Sequence, residues 1–230
     1  MNTEIGSLLL LALGLGMLHA LDADHIMAVT SLSCQKPDRK QSLMFCGRWA
    51  LGHGAAILLV GVAVLFVGMA IPQQLSHYAE SLVGVVLIAL GAYVLWDIWK
   101  QRVHLHVHQH DGMVKHAHWH RRSGDSSADD STRHKHNHAP VLVGVLHGTA
   151  GSAPLLALLP LSQMASPWIG LAYLLLFGAG VFFAMLLFGG ALGQLFGLAR
   201  NWGQQFINGL RILVSVVSIG FGASLIFALN

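Results

Sequence analysis

The chain has 230 residues, of which 54% are apolar and only 10% charged, and its formal net charge is +3 at pH 7. Soluble domains carry about 25% charged residues, and the mean hydropathy here is +0.61, so an ordinary soluble domain is excluded. The pI near 9.1 comes from basic loops on one face of a membrane and gives no reason to expect nucleic acid as a partner.

Apolar runs of about 20 residues recur along the whole length, the signal for membrane-spanning helices. They predict an all-α integral membrane protein with six transmembrane helices, over roughly 5–33, 45–68, 79–100, 141–161, 168–198 and 206–228. The first run has no positive stretch before it and no small-residue cleavage site after it, so it reads as a retained helix.

That first run is interrupted by LHALDADHIM, residues 18–27, which carries His19, Asp22, Asp24 and His25. An ionisable group at the centre of a membrane helix costs about 2.5–3.5 kcal/mol, and such groups are functional by default. On a straight helix His19, Asp22 and His25 form one slanted stripe, while Asp24 points away from it. Either Asp24 serves another partner, or the helix unwinds near Ala23 and brings all four together, as broken transporter helices do around polar cavities.

Cys34 and Cys46 flank the next short connection and read as reduced thiols, ahead of a disulfide or a soft-metal site. The second span contributes His53, in WALGHGAA. After the third span comes a polar segment, 101–139, holding ten of the fifteen histidines in the tracts HLHVHQH, HAHWH and HKHNH. A spacing of two makes no helical face, and SGDSSADDS resembles disordered sequence. The segment is expected to be a flexible cytoplasmic loop that buffers or senses nickel, cobalt, zinc or copper with little discrimination.

The fourth span carries His147, in VLHGTAGSAP. Near it, Thr149 and Ser152 are expected to bond helix carbonyls, and Pro154 to break the span. Counted from the cytoplasmic helix ends, His25, His53 and His147 lie at one depth, roughly 9–12 Å below the surface. Imidazoles from three helices beside carboxylates suit a divalent transition metal; calcium or magnesium would ask for oxygen throughout.

All thirteen Lys and Arg side chains fall on or near three connections that six spans place on one side. The positive-inside rule makes that side cytoplasmic, with both termini outside. GMLHALDADHIMAV in the first span resembles GVLHGTAGSAPLLAL in the fourth, and LGHGAAI in the second resembles FGAGVFF in the fifth. The expected organisation is two inverted three-helix repeats, 1–100 and 141–230, joined by the histidine-rich loop 101–140.

HALDADH (His19 to His25) is similar to the H-x4-D-H signature of the nickel/cobalt permease (NiCoT) family, and LGHG (Leu51 to Gly54) resembles that family's second motif, usually LGHS. The resemblance implies metal recognition by His19, Asp24 and His25, with His53 in support. It covers mainly residues 14–60. The family usually has eight spans with the signature in the second, whereas here it lies in the first of six. The histidine-rich loop looks more like the related nickel/cobalt efflux proteins.

Together these readings predict a secondary transporter that moves Ni2+ or Co2+ inward across a bacterial-type inner membrane. The metal is cargo, no resident cofactor is expected, and the chain is not expected to be an enzyme. Asp22 is expected to support the site or add a ligand, and His147 to contribute from the second repeat. The expected partners are the transition-metal ion, the lipid bilayer and a cytoplasmic metallochaperone. Efflux of the same metals or of zinc is the nearest alternative. Export of a small anion would predict basic groups inside the spans. A di-metal hydroxylase would need paired H-x3-H motifs.

Overall fold

In lipid every backbone N–H and C=O has to be satisfied within its own segment, so the apolar runs become helices. The computed structural model describes residues 2–33, 39–68, 73–102, 105–108, 116–119, 138–150 and 166–228. Its helices are α1 (Asn2–His19), α2 (Ala23–Ser33), α3 (Arg39–Val62), α4 (Gln73–Arg102), α5 (Ala139–Thr149), α6 (Pro167–Ala199) and α7 (Gln204–Ala228). A wider turn, Ala63–Val67, extends α3 and stops at Gly68, whose φ of 68° is left-handed.

Four stretches, Arg39–Val67, His77–Lys100, Pro167–Ala199 and Gln204–Ala228, are long and apolar enough to cross a membrane. A fifth crossing exists if the bent pair α1 and α2 is one span. The fourth predicted span, 141–161, is represented among the described residues by α5, whose 11 residues reach only about 16 Å of a ~30 Å hydrocarbon core. Residues 151–165, with Ser152 and Pro154, lie outside the described residues, as does Cys34.

The run predicted as the first span is broken into α1 and α2, and hydrogen bonds show where. Ala20 N–H still donates to Gly16 C=O, but Leu21 donates to Leu18 and Asp22 to His19, each one residue too near for an α-helix. The ladder restarts with Ile26 donating to Asp22 C=O. The bend between the two halves is 55°. Asp22 therefore occupies the N-cap of α2 and Asp24 its first turn, where carboxylates suit both the free N–H groups and the helix dipole. The break falls at Ala20–Asp22, just before Ala23.

α3 lies between α5 and α6, α1 packs on α6, and α4 packs along α7; α2 leans mainly on α7 and α4. Glycines set the closest approaches. A Cβ added at Gly16 would strike the Phe177 carbonyl, and one at Gly180 the Leu13 carbonyl. Likewise Gly144 abuts the Trp49 carbonyl and Gly52 the Val141 carbonyl. A shift of 128 residues turns Leu13, Gly16, Trp49 and Gly52 into Val141, Gly144, Phe177 and Gly180. The α1–α6 and α3–α5 contacts are thus one contact made twice. In the α4–α7 pair, Gly84 and Gly222 each meet the other's carbonyl.

That pair also holds an ion pair between Arg211 and Asp97, 2.7 Å from Nη2 to Oδ2, with Arg211 4% exposed. Removing one partner of a buried pair costs about 3–5 kcal/mol, less here because Asp97 is 34% exposed. Asp97→Asn is expected to lower the detergent-solubilised melting temperature clearly, since it strands the Arg211 charge. The double variant Asp97→Leu/Arg211→Met should recover much of the loss. Equal melting of the single and double variants would contradict this.

The histidine-rich segment is described only in part. It contains an antiparallel pair, β1 (Leu105–His108) and β2 (His116–Trp119). A spacing of two is wrong for a helix but is the period of a strand. The remaining tracts, 109–115 and 120–137, lie outside the described residues.

Candidate metal centre

The break in the first span aims two histidines at one point. His19 is the last residue of α1, and His25 lies in the first turn of α2. α3 supplies His53 and α5 supplies His147 from its last turn. These four imidazoles are 3%, 1%, 0% and 0% exposed, respectively.

His25 is central. Its ring centroid lies 4.6 Å from His19, 4.8 Å from His53 and 5.7 Å from His147. His19, His25 and His53 each offer a nitrogen within 4.8 Å of the others. Nitrogens that share one ion at about 2.1 Å lie roughly 3.0–4.2 Å apart, so the three rings would have to draw together to share one.

Backbone contacts settle which nitrogen is available on His25 and His147. His147 Nδ1 lies 2.8 Å from Val143 C=O and His25 Nδ1 lies 3.1 Å from His19 C=O. A carbonyl only accepts, so each Nδ1 carries the hydrogen and each Nε2 presents a lone pair. His19 Nδ1 stands 2.9 Å from Asp22 Oδ2, within ion-pairing distance but off hydrogen-bonding alignment. His19 Nε2, His147 Nε2 and both nitrogens of His53 are buried without a hydrogen-bond partner. Orphaned buried nitrogens are costly, and such Nδ1 contacts are the outer partners that orient metal-binding imidazoles.

Asp24 is brought in by the break. Its Oδ2 is 3.6 Å from His25 Nε2, the nitrogen left with the lone pair. A straight helix would have turned it away. Thr149 Oγ1 donates to Leu146 C=O at 2.9 Å, so the hydroxyl serves its own helix.

Two aromatics that the sequence does not single out complete the walls. Trp49 lies flat against His53, 4.9 Å between centroids with planes 13° apart, and meets His25 edge-on at 4.8 Å. Phe177 stacks on His19 at 5.6 Å. Nothing in WALGHGAA or LLLFGAG separates these rings from ordinary core aromatics. Their role shows only when four helices are assembled. Gly54, where the sequence departs from LGHS, has open space where a side chain would begin: a Cβ added there meets nothing within 4 Å. Gly54→Ser is therefore expected to leave folding and metal binding unchanged. A drop in melting temperature would contradict that.

Comparison with known proteins gives a consistent picture. Residues 25–223 match the family described as the cytochrome C biogenesis protein transmembrane region. The chain is 30% identical over 204 residues to the urease accessory protein UreH of Bacillus sp. (strain TB-90), covering 87% of this chain and 82% of that protein. It is 29% identical over 89 residues to a high-affinity nickel transport protein of Cupriavidus necator, 37% of this chain and 25% of that one. It is 32% identical over 99 residues to a putative nickel/cobalt efflux system of Methanocaldococcus jannaschii, 42% of this chain and 44% of that one. These relatives are named as transporters or as an accessory protein, and none as an enzyme. No solved structure matches.

Proposed function

The chain belongs to the family described as the cytochrome C biogenesis protein transmembrane region, and from that premise and the buried imidazole cluster we propose that it carries Ni2+ or Co2+ across the inner membrane, inward. Family membership supplies the scaffold; the cargo has to be argued from the site. The observation that carries the reading is the trio His19, His25 and His53, one nitrogen from each within 4.8 Å, enclosed by helices of a membrane protein. Homologues named for nickel and nickel/cobalt transport support the same cargo.

In this reading the ion, partly dehydrated, is bound by His19, His25, His53 and Asp24, with His147 as a fourth imidazole. Asp22 orients His19 from 2.9 Å. Asp22 and Asp24 in their ionised forms match the charge of a divalent ion, which offsets the cost of bringing that charge into a low-dielectric site. Imidazole-rich donors favour nickel, cobalt and zinc over magnesium or calcium.

The inward direction has a simple energetic basis. An inside-negative potential is worth about 2.3 kcal/mol per elementary charge per 100 mV, hence about 4.6 kcal/mol for a divalent cation. At about 1.4 kcal/mol per tenfold, that drives accumulation by more than three powers of ten without a second coupled ion. Outward transport would need one.

The proposed architecture is two inverted repeats with both termini outside and the histidine-rich segment in the cytoplasm. The 128-residue recurrence of the glycine contacts supports it, and pairs His19 with His147 and Trp49 with Phe177. It sets Gly52 opposite Gly180, two residues from the sequence alignment of LGHGAAI with FGAGVFF. Ion transfer to a cytoplasmic metallochaperone is the onward step proposed.

The test is flux into proteoliposomes of protein lacking residues 104–137, because the histidines of that segment would otherwise hold metal and mimic accumulation. Nickel, cobalt, zinc and manganese are compared under an imposed potential. Nickel or cobalt entry that rises with an inside-negative potential is expected. Movement only against that potential would reassign the protein to efflux, and no metal movement would end the reading.

A further inference from the structure

Trp49 sits among three of the four buried imidazoles. Its ring centroid lies 4.8 Å from His25, 4.9 Å from His53 and 5.7 Å from His147. The side chain is fully buried, and its indole Nε1 has no hydrogen-bond partner among the described residues. Buried polar groups are nearly always paired, so an exception asks for a reason. An indole N–H only donates and cannot ligate a cation. An ion bound by the imidazoles takes up their lone pairs and leaves this donor as it was.

The same aromatic contact occurs in the other half of the chain. A shift of 128 residues relates Trp49 to Phe177 and His147 to His19. Phe177 lies 5.6 Å from His19, as Trp49 lies 5.7 Å from His147. Each half therefore sets one aromatic ring against the cluster, and on the Phe177 side a ring without an N–H suffices. The donor is what Trp49 adds.

From this we propose that Trp49 is a selectivity residue, whose N–H holds a water that bound nickel keeps and bound zinc gives up. The inference rests on the reading of the cluster as a nickel or cobalt site, and adds to it a group that discriminates between metals. Zinc takes four tetrahedral ligands, which the imidazoles and Asp24 supply without water. Nickel favours a tetragonal set, so imidazoles in its plane leave axial positions for water. The indole and His53 planes are 13° apart, and an ion on a His53 lone pair lies in the imidazole plane. The stacked N–H is thus turned away from that lone pair, while an axial water rises towards the indole. A metal-bound water keeps one lone pair free to accept from it. Contacts of this outer kind are worth about 10–100-fold in metal affinity.

The test uses the full chain in nanodiscs, titrated with Ni2+ and with Zn2+ by equilibrium dialysis. A His25→Ala copy of each protein is titrated beside it, and subtracting that copy leaves the buried site alone. Trp49→Phe, which supplies the ring that the Phe177 position carries, should weaken Ni2+ by at least about tenfold and Zn2+ by less than about threefold. Phe177→Leu, which thins the wall without removing a donor, should move both metals by one factor. Equal shifts of the two metals in Trp49→Phe would mean that the indole only packs, and the proposal fails while the site stands. No Ni2+ binding left after subtraction in the parent would overturn both. A second measurement decides the matter should Trp49→Phe fail to fold. In the unsubstituted chain, the ultraviolet Raman band that reports indole N–H hydrogen bonding should shift with Ni2+ and not with Zn2+, again after subtraction of His25→Ala. No shift with Ni2+, or the same shift with both metals, would contradict the proposal.

Discussion

Replacing His25 by alanine is expected to abolish metal flux, lowering the initial rate at least about 100-fold, because His25 is the ring on which the cluster converges. It lies against His19, His53 and His147 within 5.7 Å, and its Nε2 faces Asp24. Removing an outer partner such as Asp22 costs metal sites about 10–100-fold in affinity or activity, so losing the shared ligand itself has to cost more. The loss should not come from misfolding. His25 makes one described hydrogen bond, to the His19 carbonyl, and an alanine leaves the α2 ladder intact. The check pairs nickel uptake into proteoliposomes with a thermal melt of the same preparation. A melt within a few degrees of the parent and flux below a hundredth is the expected result. Flux within twofold of the parent would remove His25 from the site.

Gly144→Val is expected to fail at an earlier stage, in assembly. The added Cβ meets the Trp49 carbonyl and the His53 backbone nitrogen, and neither can rotate out of the way. Overpacking a well-packed interior typically costs about 1–3 kcal/mol and occasionally more, and rigid backbone on the receiving side puts this substitution at or beyond about 3 kcal/mol. Pushing α5 from α3 also separates His147 and His53, so whatever protein survives should bind metal poorly. Yield after size-exclusion chromatography and the melting temperature check this. Gly209→Ala, which has nothing within 4 Å, is the control expected to behave as the parent. Normal yield and melting for Gly144→Val would mean that α3 and α5 do not approach this closely.

Much of this is legible in the residues. The long apolar runs become α3, α4, α6 and α7, α6 and α7 within two residues of the expected limits and α3 and α4 within six, since a bilayer allows few other solutions. His19, His25, His53 and His147 stand out because buried imidazoles inside apolar spans are too costly to be incidental, and they lie together. The position of Asp24 is open in the sequence, because helical geometry alone sends it away from His25. A break at Ala20–Asp22 decides the matter, and a single sequence leaves such a break as one option of two.

Other features leave no local trace. Trp49 and Phe177 read as two more apolar residues. Their stacking on His53 and His19 depends on which helices meet. Asp97 and Arg211 are 114 positions apart, and the arginine by itself reads as one more topology marker at a helix end.

The central claim is that the ion crosses through imidazoles buried between α1, α2, α3 and α5, and the most direct measurement is the nickel K-edge X-ray absorption of protein lacking residues 104–137, loaded with one equivalent of Ni2+ in nanodiscs. With the hairpin gone, multiple scattering characteristic of at least three imidazoles is expected, and it should fall by one in the His53→Ala variant. A spectrum of oxygen donors without imidazole scattering would contradict the account.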